Sequence, residues 1–295
     1  MHPETAHGDT VPFTIEQLWI YPVKSCAGIR LNAIELFETG LDWDRAWMVV
    51  DQAGEFVSQR ELPRMALVRP RFHMGQLELK APGMLSLHLS LDGVEKPCKA
   101  RVWDDEVDAY DMGDVAAQWF TDFLLADQPL LGQRLRLVRF DPQCHRPSDV
   151  RWTGGRQAPN QFSDGYPLLV LSQASLDDLN ERLRLLGLPA VGPERFRPNL
   201  VLGGLPPYEE DRLASLHLTE GGVEMALVKP CSRCFMPDVD PQTGQTDGSV
   251  SPVLQTYRQD RRLMGAITLG MNAIVTAGGG EVLREGMTGS ARPAV

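Results

Sequence analysis

Short apolar segments, each ended by glycine, proline or an acidic or amide side chain, follow one another along most of this 295-residue chain. The sequence holds 27 glycines and 22 prolines, which supply the turns between these segments. Short, regularly spaced strands of this kind are typical of barrels and sandwiches, whereas a parallel sheet needs a long crossover after each strand. We therefore predict a mainly β fold with a few helices, in the α+β class.

Strands and hairpins can be assigned in the first half from composition and turn residues. Residues 13–21 are rich in aromatic and β-branched types, which favours a strand. Apolar runs on either side of a glycine-containing turn indicate antiparallel hairpins. Two hairpins are predicted, with strands at residues 46–50 and 56–60 and at residues 77–80 and 84–89.

Helical spacing of apolar side chains appears at two places. Residues 115–123 follow Asp114, which we expect to cap the N-terminus of a helix. Residues 176–186 form the second pattern, with Ser175 and Asp178 as an approximate capping box. Gly187 is expected to end that helix, because glycine adopts the left-handed conformation of a helix stop at little cost.

The remaining elements complete the predicted organisation. Residues 127–133 contain proline and glycine and are expected to link two halves of the chain. The glycine-rich tail after residue 278 is expected to be loose. Further strands are predicted at residues 135–140, 168–171, 199–202, 223–228 and 266–275.

The charge balance excludes some partners. The formal net charge is -10 at pH 7, whereas nucleic acids and anionic membranes require a basic surface. No apolar run approaches the roughly 20 residues of a transmembrane helix, and residues 1–10 lack the apolar core of a signal peptide. We expect a cytoplasmic protein without a nucleic-acid or membrane partner, although a basic pocket for a small anion is compatible with an acidic surface.

Cys231 and Cys234 form the one pair of cysteines with metal-ligand or redox spacing, and Arg233 lies between them. Two buried core cysteines are one interpretation, since free cysteine is among the most buried residue types. Zinc requires about four ligands, usually from two pairs of similar spacing. The only other cluster of possible ligands is Cys144-His145, and two adjacent residues are a poor second pair.

Redox chemistry at the same pair is also constrained. A thioredoxin-like disulfide requires a helix directly after the pair, but Pro237, Pro241 and Gly244 follow instead. An iron–sulfur cluster requires four cysteines in spacings that the chain lacks. A single thiolate could also ligate a metal whose other ligands come from a cofactor, and spacing alone leaves this open.

Five sequence blocks resemble the MOSC-domain family. CSRC at 231–234 followed by VDPQTG at 239–244 is similar to the family signature. Four further blocks in the same order as in the family are YPVKSCAG at 21–28, LDWDRAWMV at 41–49, FSDGYPLL at 162–169 and RFRPN at 195–199. The resemblance implies an N-terminal β-barrel domain over residues 11–126 and a MOSC β-barrel domain over residues 134–286, with loose termini at 1–10 and 287–295.

The resemblance also implies a molybdenum enzyme, like the amidoxime-reducing proteins and the bacterial proteins that detoxify hydroxylaminopurine. Its cofactor would be the molybdenum cofactor, a molybdopterin, with the metal cycling between its VI and IV states. Cys234 matches the cysteine that ligates molybdenum and is the implied catalytic residue, whereas Cys231 has no assigned role. Cofactor-binding positions map to Lys24, Ser25 and Arg45 for the phosphate and to Asp164, Gly165, Tyr166, Arg197 and Asn199 for the pterin.

One departure from the family lies among these residues. Relatives of the human type carry two hydroxyl residues where this chain has Gly165 and Tyr166, so only backbone contacts would be kept there. The family also carries an association with pyridoxal phosphate binding.

The implied partners are a small N-hydroxylated substrate and an external electron donor. No ferredoxin-type cysteine spacing is present, so electrons are expected from a separate ferredoxin, flavodoxin or reductase. Arg258, Arg261 and Arg262 are predicted to form the basic patch on which such a donor docks. The alternative is a cofactor carrier or sulfur-transfer module in which Cys234 performs no redox turnover.

Overall fold

The computed structural model describes residues 10–126 and 134–294. In the first of these ranges the strands are β1 (Val11–Ile20), β2 (Ile29–Leu31), β3 (Ala33–Phe37), β4 (Gly40–Leu41), β5 (Trp47–Val50), β6 (Arg69–His73), β7 (Gln76–Lys80), β8 (Leu87–Ser90), β9 (Lys96–Val102) and β10 (Asp105–Asp111). The second range holds β11 (Arg136–Phe140), β12 (Leu168–Ser172), β13 (Leu200–Gly203), β14 (Leu213–Leu218), β15 (Glu224–Ser232), β16 (Gln259–Asp260), β17 (Ala266–Ala277), β18 (Val282–Arg284) and β19 (Thr288–Pro293). The α-helices are α1 (Asp114–Leu124), α2 (Val150–Thr153), α3 (Gln173–Leu185) and α4 (Ser251–Gln255).

Seven strands close into a barrel. Its order is β12-β13-β1-β19-β14-β15-β17, and the pairing of β17 with β12 completes the ring. Only β12 and β13 pair in parallel, so the predicted mainly β fold with few helices is confirmed. Closure leaves no free sheet edge in the ring.

The N-terminal strand β1 belongs to this barrel because its apolar side chains alternate into the barrel core. Phe13, Ile15, Leu18 and Ile20 are all buried there. The inward positions change from odd to even numbers where the register with β13 shifts, between Ile15 and Gln17. A bulge of this kind moves the side chains that follow it to the other face.

The first half builds a second core from smaller sheets. A four-stranded sheet has the order β5-β11-β10-β9, and β6-β7-β8 form a three-stranded sheet beside it. The apolar face of α1 packs into this core through Trp119, Phe120 and Phe123. β1 comes from the first half of the chain but lies in the C-terminal barrel, and β11 comes from the second half but lies in an N-terminal sheet. Each half therefore contributes a strand to the sheets of the other.

The hairpin predictions had different outcomes. The second hairpin is confirmed, since β7 and β8 pair antiparallel. The first is wrong in its second arm, because residues 56–60 form no strand and Phe56 makes only an isolated bridge to Val50. The Ser58 hydroxyl donates to Glu61 at 2.7 Å, and the Leu62 N–H donates to the Ser58 carbonyl, so the chain turns there.

Both predicted helices are present, but their N-termini differ from prediction. The N-cap of α1 is Gly113, and Asp114 is its first residue. In α3 the Ser175 hydroxyl donates to the buried carboxylate of Glu210 at 2.8 Å, so it forms no capping box. Gly187 has a φ of 73° just after α3, which confirms it as the helix stop.

The C-terminal tail is a correction to the sequence prediction. Residues 288–293, predicted to be loose, form β19 between β1 and β14 of the barrel, and β18 pairs with β3. Gly289 permits this, because a Cβ there would clash with the His217 carbonyl oxygen and lie 2.6 Å from the Phe13 ring. The predicted linker at 127–133 and nearly all of the predicted loose segment 1–10 lie outside the described residues.

Among the described residues, no helix is long and apolar enough to cross a membrane.

Substitution of Gly289 by alanine tests the role of β19. We expect a loss of about 1–3 kcal/mol in the free energy of unfolding, since the added methyl group overpacks the barrel against Phe13 and β14. Gly279→Ala is the matched control, because its nearest neighbour is 4.0 Å away and its change should be within about 0.5 kcal/mol. Urea unfolding of both variants measures the difference, and equal stabilities would contradict the packing of β19.

Candidate functional site

One cavity of about 760 Å³ lies where the two halves meet. Its wall combines the loop after β1, the segment between α2 and β12, the loop before β13 and the end of β15. All nine residues that the sequence singled out line it, namely Lys24, Ser25, Arg45, Asp164, Gly165, Tyr166, Arg197, Asn199 and Cys234. Positions separated by more than two hundred residues in the chain are thus neighbours in one site.

The cavity is basic although the protein is acidic. Its wall contains four aspartates, namely Asp104, Asp105, Asp149 and Asp164. Its eight cationic residues are Lys24, Arg45, Arg60, Arg146, Arg195, Arg197, Lys229 and Arg233. Asp44 and Asp247, which do not line the cavity, pair with Arg45 and Arg195 and reduce the excess of positive charge. A low-dielectric wall with the remaining excess concentrates anions, so the site favours an anionic ligand.

Lys24 projects into this cavity from the loop after β1. Its backbone N–H donates to the Trp47 carbonyl, which fixes the loop against β5. Its ammonium donates to the Phe162 carbonyl at 2.8 Å and to the Asp164 carboxylate at 2.5 Å. The ion pair therefore joins the N-terminal half to the segment before β12.

The Lys24 ammonium loses its proton more readily than an ordinary lysine does. Burial lowers the pKa of its ammonium to about 8, because desolvation outweighs the favourable contact with Asp164. Desolvation also opposes the ionisation of Asp164, but Lys24 and the Trp103 indole N–H more than compensate and hold the pKa of this carboxyl below its usual range. The Asp164 side chain is 75% exposed toward the cavity, so it stays available to a ligand.

Four non-glycine residues of the wall have left-handed backbone conformations. Ser25, Arg45, Trp103 and Arg197 have φ values of 65°, 51°, 57° and 58°. Each non-glycine residue in this region costs on the order of 1 kcal/mol and is held there by its surroundings. Strain of this kind concentrates at functional sites, so its presence at four cavity residues supports a ligand-binding role.

Tyr21 organises the two arginines of this wall. The guanidinium carbons of Arg45 and Arg197 lie 4.5 Å and 4.2 Å from the centre of its ring. The ring is fully buried, and burial raises the pKa of its hydroxyl, so it stays neutral. Such cation–π contacts hold like charges close together. Tyr21 lies in a family block, but no sequence pattern distinguishes it from the other residues of that block.

The described residues accept only part of the hydrogen bonds that the Arg197 guanidinium can donate. One of its terminal nitrogens, Nη1, donates to the Cys26 carbonyl at 2.6 Å. The other, Nη2, is buried and has no hydrogen-bond partner in the part of the chain that the structure describes. Burial and the nearby Arg45 lower the pKa of Arg197 to about 10. A buried unpaired donor is costly, and an anionic ligand would relieve both the unpaired donor and the repulsion from Arg45.

The Asn199 side chain takes part in three hydrogen bonds within the protein and so positions its neighbours. Its side-chain oxygen accepts from the Leu169 N–H at 3.0 Å and from Arg45 at 3.3 Å. Its amide nitrogen donates to the Trp19 carbonyl at 3.2 Å. Asn199 therefore fixes β12 and Arg45 relative to β1, and we assign it a positioning role.

The two cysteines of the pair differ in environment. Cys231 lies in β15 and is half-buried, and burial raises the pKa of its thiol. Cys234 lies past the end of β15 and is exposed, and its sulfur accepts only a weak hydrogen bond from the Met236 N–H at 3.5 Å. Arg233 donates to the carbonyls of Leu269 and Phe196, so its guanidinium braces the loop.

The described residues hold no disulfide partner for either thiol and no group of three or more His, Cys, Asp or Glu residues that could bind a metal alone. A metal at Cys234 would therefore need most of its ligands from another molecule.

Comparison with known proteins identifies the family. Residues 12–127 match the MOSC N-terminal beta barrel domain and residues 157–287 match the MOSC domain. Mitochondrial amidoxime reducing component 2 of Bos taurus is 36% identical over 83% of this chain and 72% of its own length. Mitochondrial amidoxime-reducing component 1 of Homo sapiens is 36% identical over 85% of this chain and 75% of its own length. The chain belongs to the MOSC-domain family.

The Gly165-Tyr166 departure of this MOSC protein leaves space in the cavity. A Cβ at Gly165 would meet nothing within 4 Å. The ring of Tyr166 is buried against Trp152, and burial raises the pKa of its hydroxyl to about 12. That hydroxyl is buried and has no hydrogen-bond partner among the described residues, so Tyr166 adds an unsatisfied polar group to the cavity wall.

Sequence reasoning missed several residues of the MOSC cavity. The Arg146 guanidinium is buried and donates to Asn160 and to two backbone carbonyls, which shapes the segment before β12. Lys229 lies over the rings of Trp152 and Tyr166. Neither belongs to one of the five blocks named for the family, and a lone basic residue in a loop or strand carries no pattern that selects it.

The predicted basic docking patch of this MOSC protein needs correction. Arg258 is partly buried and pairs with Asp211 at 2.6 Å, and Arg262 pairs with Asp260 at 2.7 Å. These carboxylates neutralise two of the three proposed cations. The sequence did not show that Arg258 and Arg262 have acidic partners from the same fold.

Asn199→Ala should destabilise the MOSC protein by about 2 kcal/mol, because the Leu169 N–H and the Trp19 carbonyl would lose their partners inside the barrel. Asn272→Ala is the control, since Asn272 also lines the cavity but makes one amide hydrogen bond, to Lys229. Urea unfolding should show a smaller loss for the control. Equal losses of stability in the two variants would contradict the positioning role of Asn199.

The low pKa of Lys24 predicts a pH-dependent stability term. Between about pH 8 and the ordinary lysine pKa of 10.5, the unfolded chain binds more protons at this residue than the folded chain. The folded state therefore gains stability from Lys24 as pH rises, by at most about 1.4 kcal/mol per pH unit. Urea unfolding at pH 7.5 and at pH 9.5 measures the free energy of unfolding of the wild type and of Lys24→Met. The wild-type value minus the variant value should be larger at pH 9.5 than at pH 7.5. An equal difference at both pH values would contradict a lowered pKa.

Proposed function

We propose that this protein is a molybdenum-cofactor-dependent oxidoreductase that reduces N-hydroxylated compounds with electrons from a separate redox protein. One observation carries the proposal: an exposed cysteine, Cys234, shares a single basic cavity with every residue that the family resemblance assigns to the cofactor. Relatives that are named amidoxime-reducing components support the same reaction class.

The residues of the cavity match the chemistry of such a cofactor. A molybdopterin carries a pterin ring system and a phosphate group, so it needs fixed cations and several hydrogen-bond donors. Two polar atoms of cavity-lining residues, Arg197 Nη2 and the Tyr166 hydroxyl oxygen, are buried without a hydrogen-bond partner among the described residues. The open space at Gly165 leaves room for the ring system, and the excess of basic side chains supplies the fixed cations.

Each group of residues has a proposed task. Lys24, Ser25 and Arg45 hold the phosphate. Arg197, Gly165, Tyr166 and Asp164 line the pterin, and Asn199 fixes Arg45. Cys234 supplies a thiolate ligand, which suits a soft metal centre. When bound, the cofactor supplies the two-electron redox chemistry.

The overall reaction consumes two electrons and two protons, breaks the N–O bond of the substrate and releases its oxygen as water. The residues of the chain bind and orient the reactants in this scheme. A ferredoxin, flavodoxin or reductase would supply the electrons, and detoxification of N-hydroxylated compounds in the cytoplasm is the proposed setting. The printed names of the relatives place those proteins in mitochondria, and the association with pyridoxal phosphate stays a prediction.

A cofactor carrier or sulfur-transfer module is the second candidate. The exposure of Cys234 and its single weak hydrogen bond favour it, because a thiol so placed could carry a persulfide or release a cofactor without large rearrangement. This candidate predicts bound molybdenum or sulfane sulfur without turnover.

Purified protein from a host that makes the cofactor tests the proposal. The molybdenum-to-protein ratio should approach one, and the protein should reduce benzamidoxime and 6-hydroxylaminopurine with a reduced viologen dye as donor. Cys234→Ala should lose the activity by several orders of magnitude while its thermal unfolding is unchanged, because the thiol contributes almost nothing to packing. Cys231→Ala, the matched control, should stay active.

Each other outcome has a clear meaning. Full activity of Cys234→Ala would refute the assignment of the metal ligand. Molybdenum bound by the wild type without turnover on either substrate would favour the carrier. Neither molybdenum nor sulfane sulfur on protein from such a host would refute both candidates.

A further inference from the structure

An aromatic cluster at the cavity has no place among the proposed cofactor residues. Trp103 lies in the tight turn between β9 and β10, lines the cavity and is 43% exposed. Its backbone φ is 57°, a conformation that bulky side chains rarely adopt. A large aromatic side chain is thus kept partly exposed to water at a strained backbone position.

The indole is held in a fixed orientation. Its N–H donates to Asp164 at 3.2 Å, on the same oxygen that accepts from Lys24. The ring of Phe56 meets it edge to face with centres 5.0 Å apart. The Arg60 guanidinium lies 4.6 Å from the centre of the indole and 5.5 Å from that of Phe56. We call Trp103, Phe56 and Arg60 the aromatic wall.

The aromatic wall is suited to a flat, uncharged ring. Aromatic pairs add about 0.5–1.5 kcal/mol beyond the burial of their surface, and Trp103 needs no reordering to make such a contact. An aliphatic group of similar polarity would gain only the burial of a smaller area. Arg60 and Asp164 both contact the indole and carry opposite charges, so the wall has no strong preference for a charged ligand.

We propose that Trp103 determines substrate specificity, by stacking against the ring of aromatic N-hydroxylated substrates and favouring them over aliphatic ones. Phe56 and Arg60 support the indole, and Asp164 links its orientation to Lys24. This inference rests on the proposed function for the reaction, but the stacking itself requires only the aromatic wall.

Trp103→Leu and Trp103→Phe in the molybdenum-loaded protein test the inference. Loss of the aromatic ring in the leucine variant should raise KM for benzamidoxime about tenfold, with a smaller change for acetamidoxime, so the ratio of their kcat/KM values should fall about tenfold. Phenylalanine keeps a ring and should preserve most of the ratio. Phe37→Leu is the matched control, since Phe37 is an exposed aromatic residue of β3 outside the cavity.

A binding measurement separates this inference from the proposed function. Saturation-transfer NMR should detect benzamide on the wild type, weaker binding of benzamide to Trp103→Leu, and weak binding of acetamide to both. An unchanged kcat/KM ratio in a variant with full molybdenum content would overturn the role of Trp103 and leave the proposed function intact. A wild type without any turnover would refute the function, and equal binding of benzamide to wild type and Trp103→Leu would then overturn the stacking as well.

Discussion

The ion pair between Lys24 and Asp164 depends on the barrel and defines the site. Lys24 follows β1, and Asp164 precedes β12, so the two residues meet only because β1 is inserted between β13 and β19. Closure of the barrel therefore brings the segment of Lys24 and Ser25 in the first half into one cavity with the cysteine loop of the second. Without β1 in the ring, the basic cavity would have no floor on the side of Lys24, Ser25 and Arg45.

The same cavity holds buried cations and a strained backbone. Arg45 and Arg197 lie close together on the ring of Tyr21, burial lowers the pKa of Lys24 to about 8, and four wall residues have left-handed backbones. The desolvation of Lys24 and Arg197 and the repulsion between Arg45 and Arg197 oppose folding, and a bound anion would offset both. Ligand binding would stabilise such a protein by mass action, which is the behaviour expected of a cofactor site.

Much of this could be predicted from the sequence, and the failures have physical causes. Apolar runs between turn residues predicted β7, β8, β13, β15 and β17, because the buried side chains of a strand leave such a run in the sequence. It failed for β9 and β10, whose outward positions are highly charged, and for β19, where glycine and proline usually mark loops. The five blocks gave the nine cavity residues, since their order is preserved. Trp103, Tyr21 and Arg146 could not be selected, because their roles depend on contacts between distant segments.

The central claim is that Cys234 ligates molybdenum in this cavity. X-ray absorption spectroscopy at the molybdenum edge, on wild-type protein and on Cys234→Ala loaded with the same cofactor, tests it most directly. The account predicts one sulfur ligand fewer in the variant, with the sulfur ligands of the cofactor unchanged. An identical sulfur coordination in both proteins would contradict it.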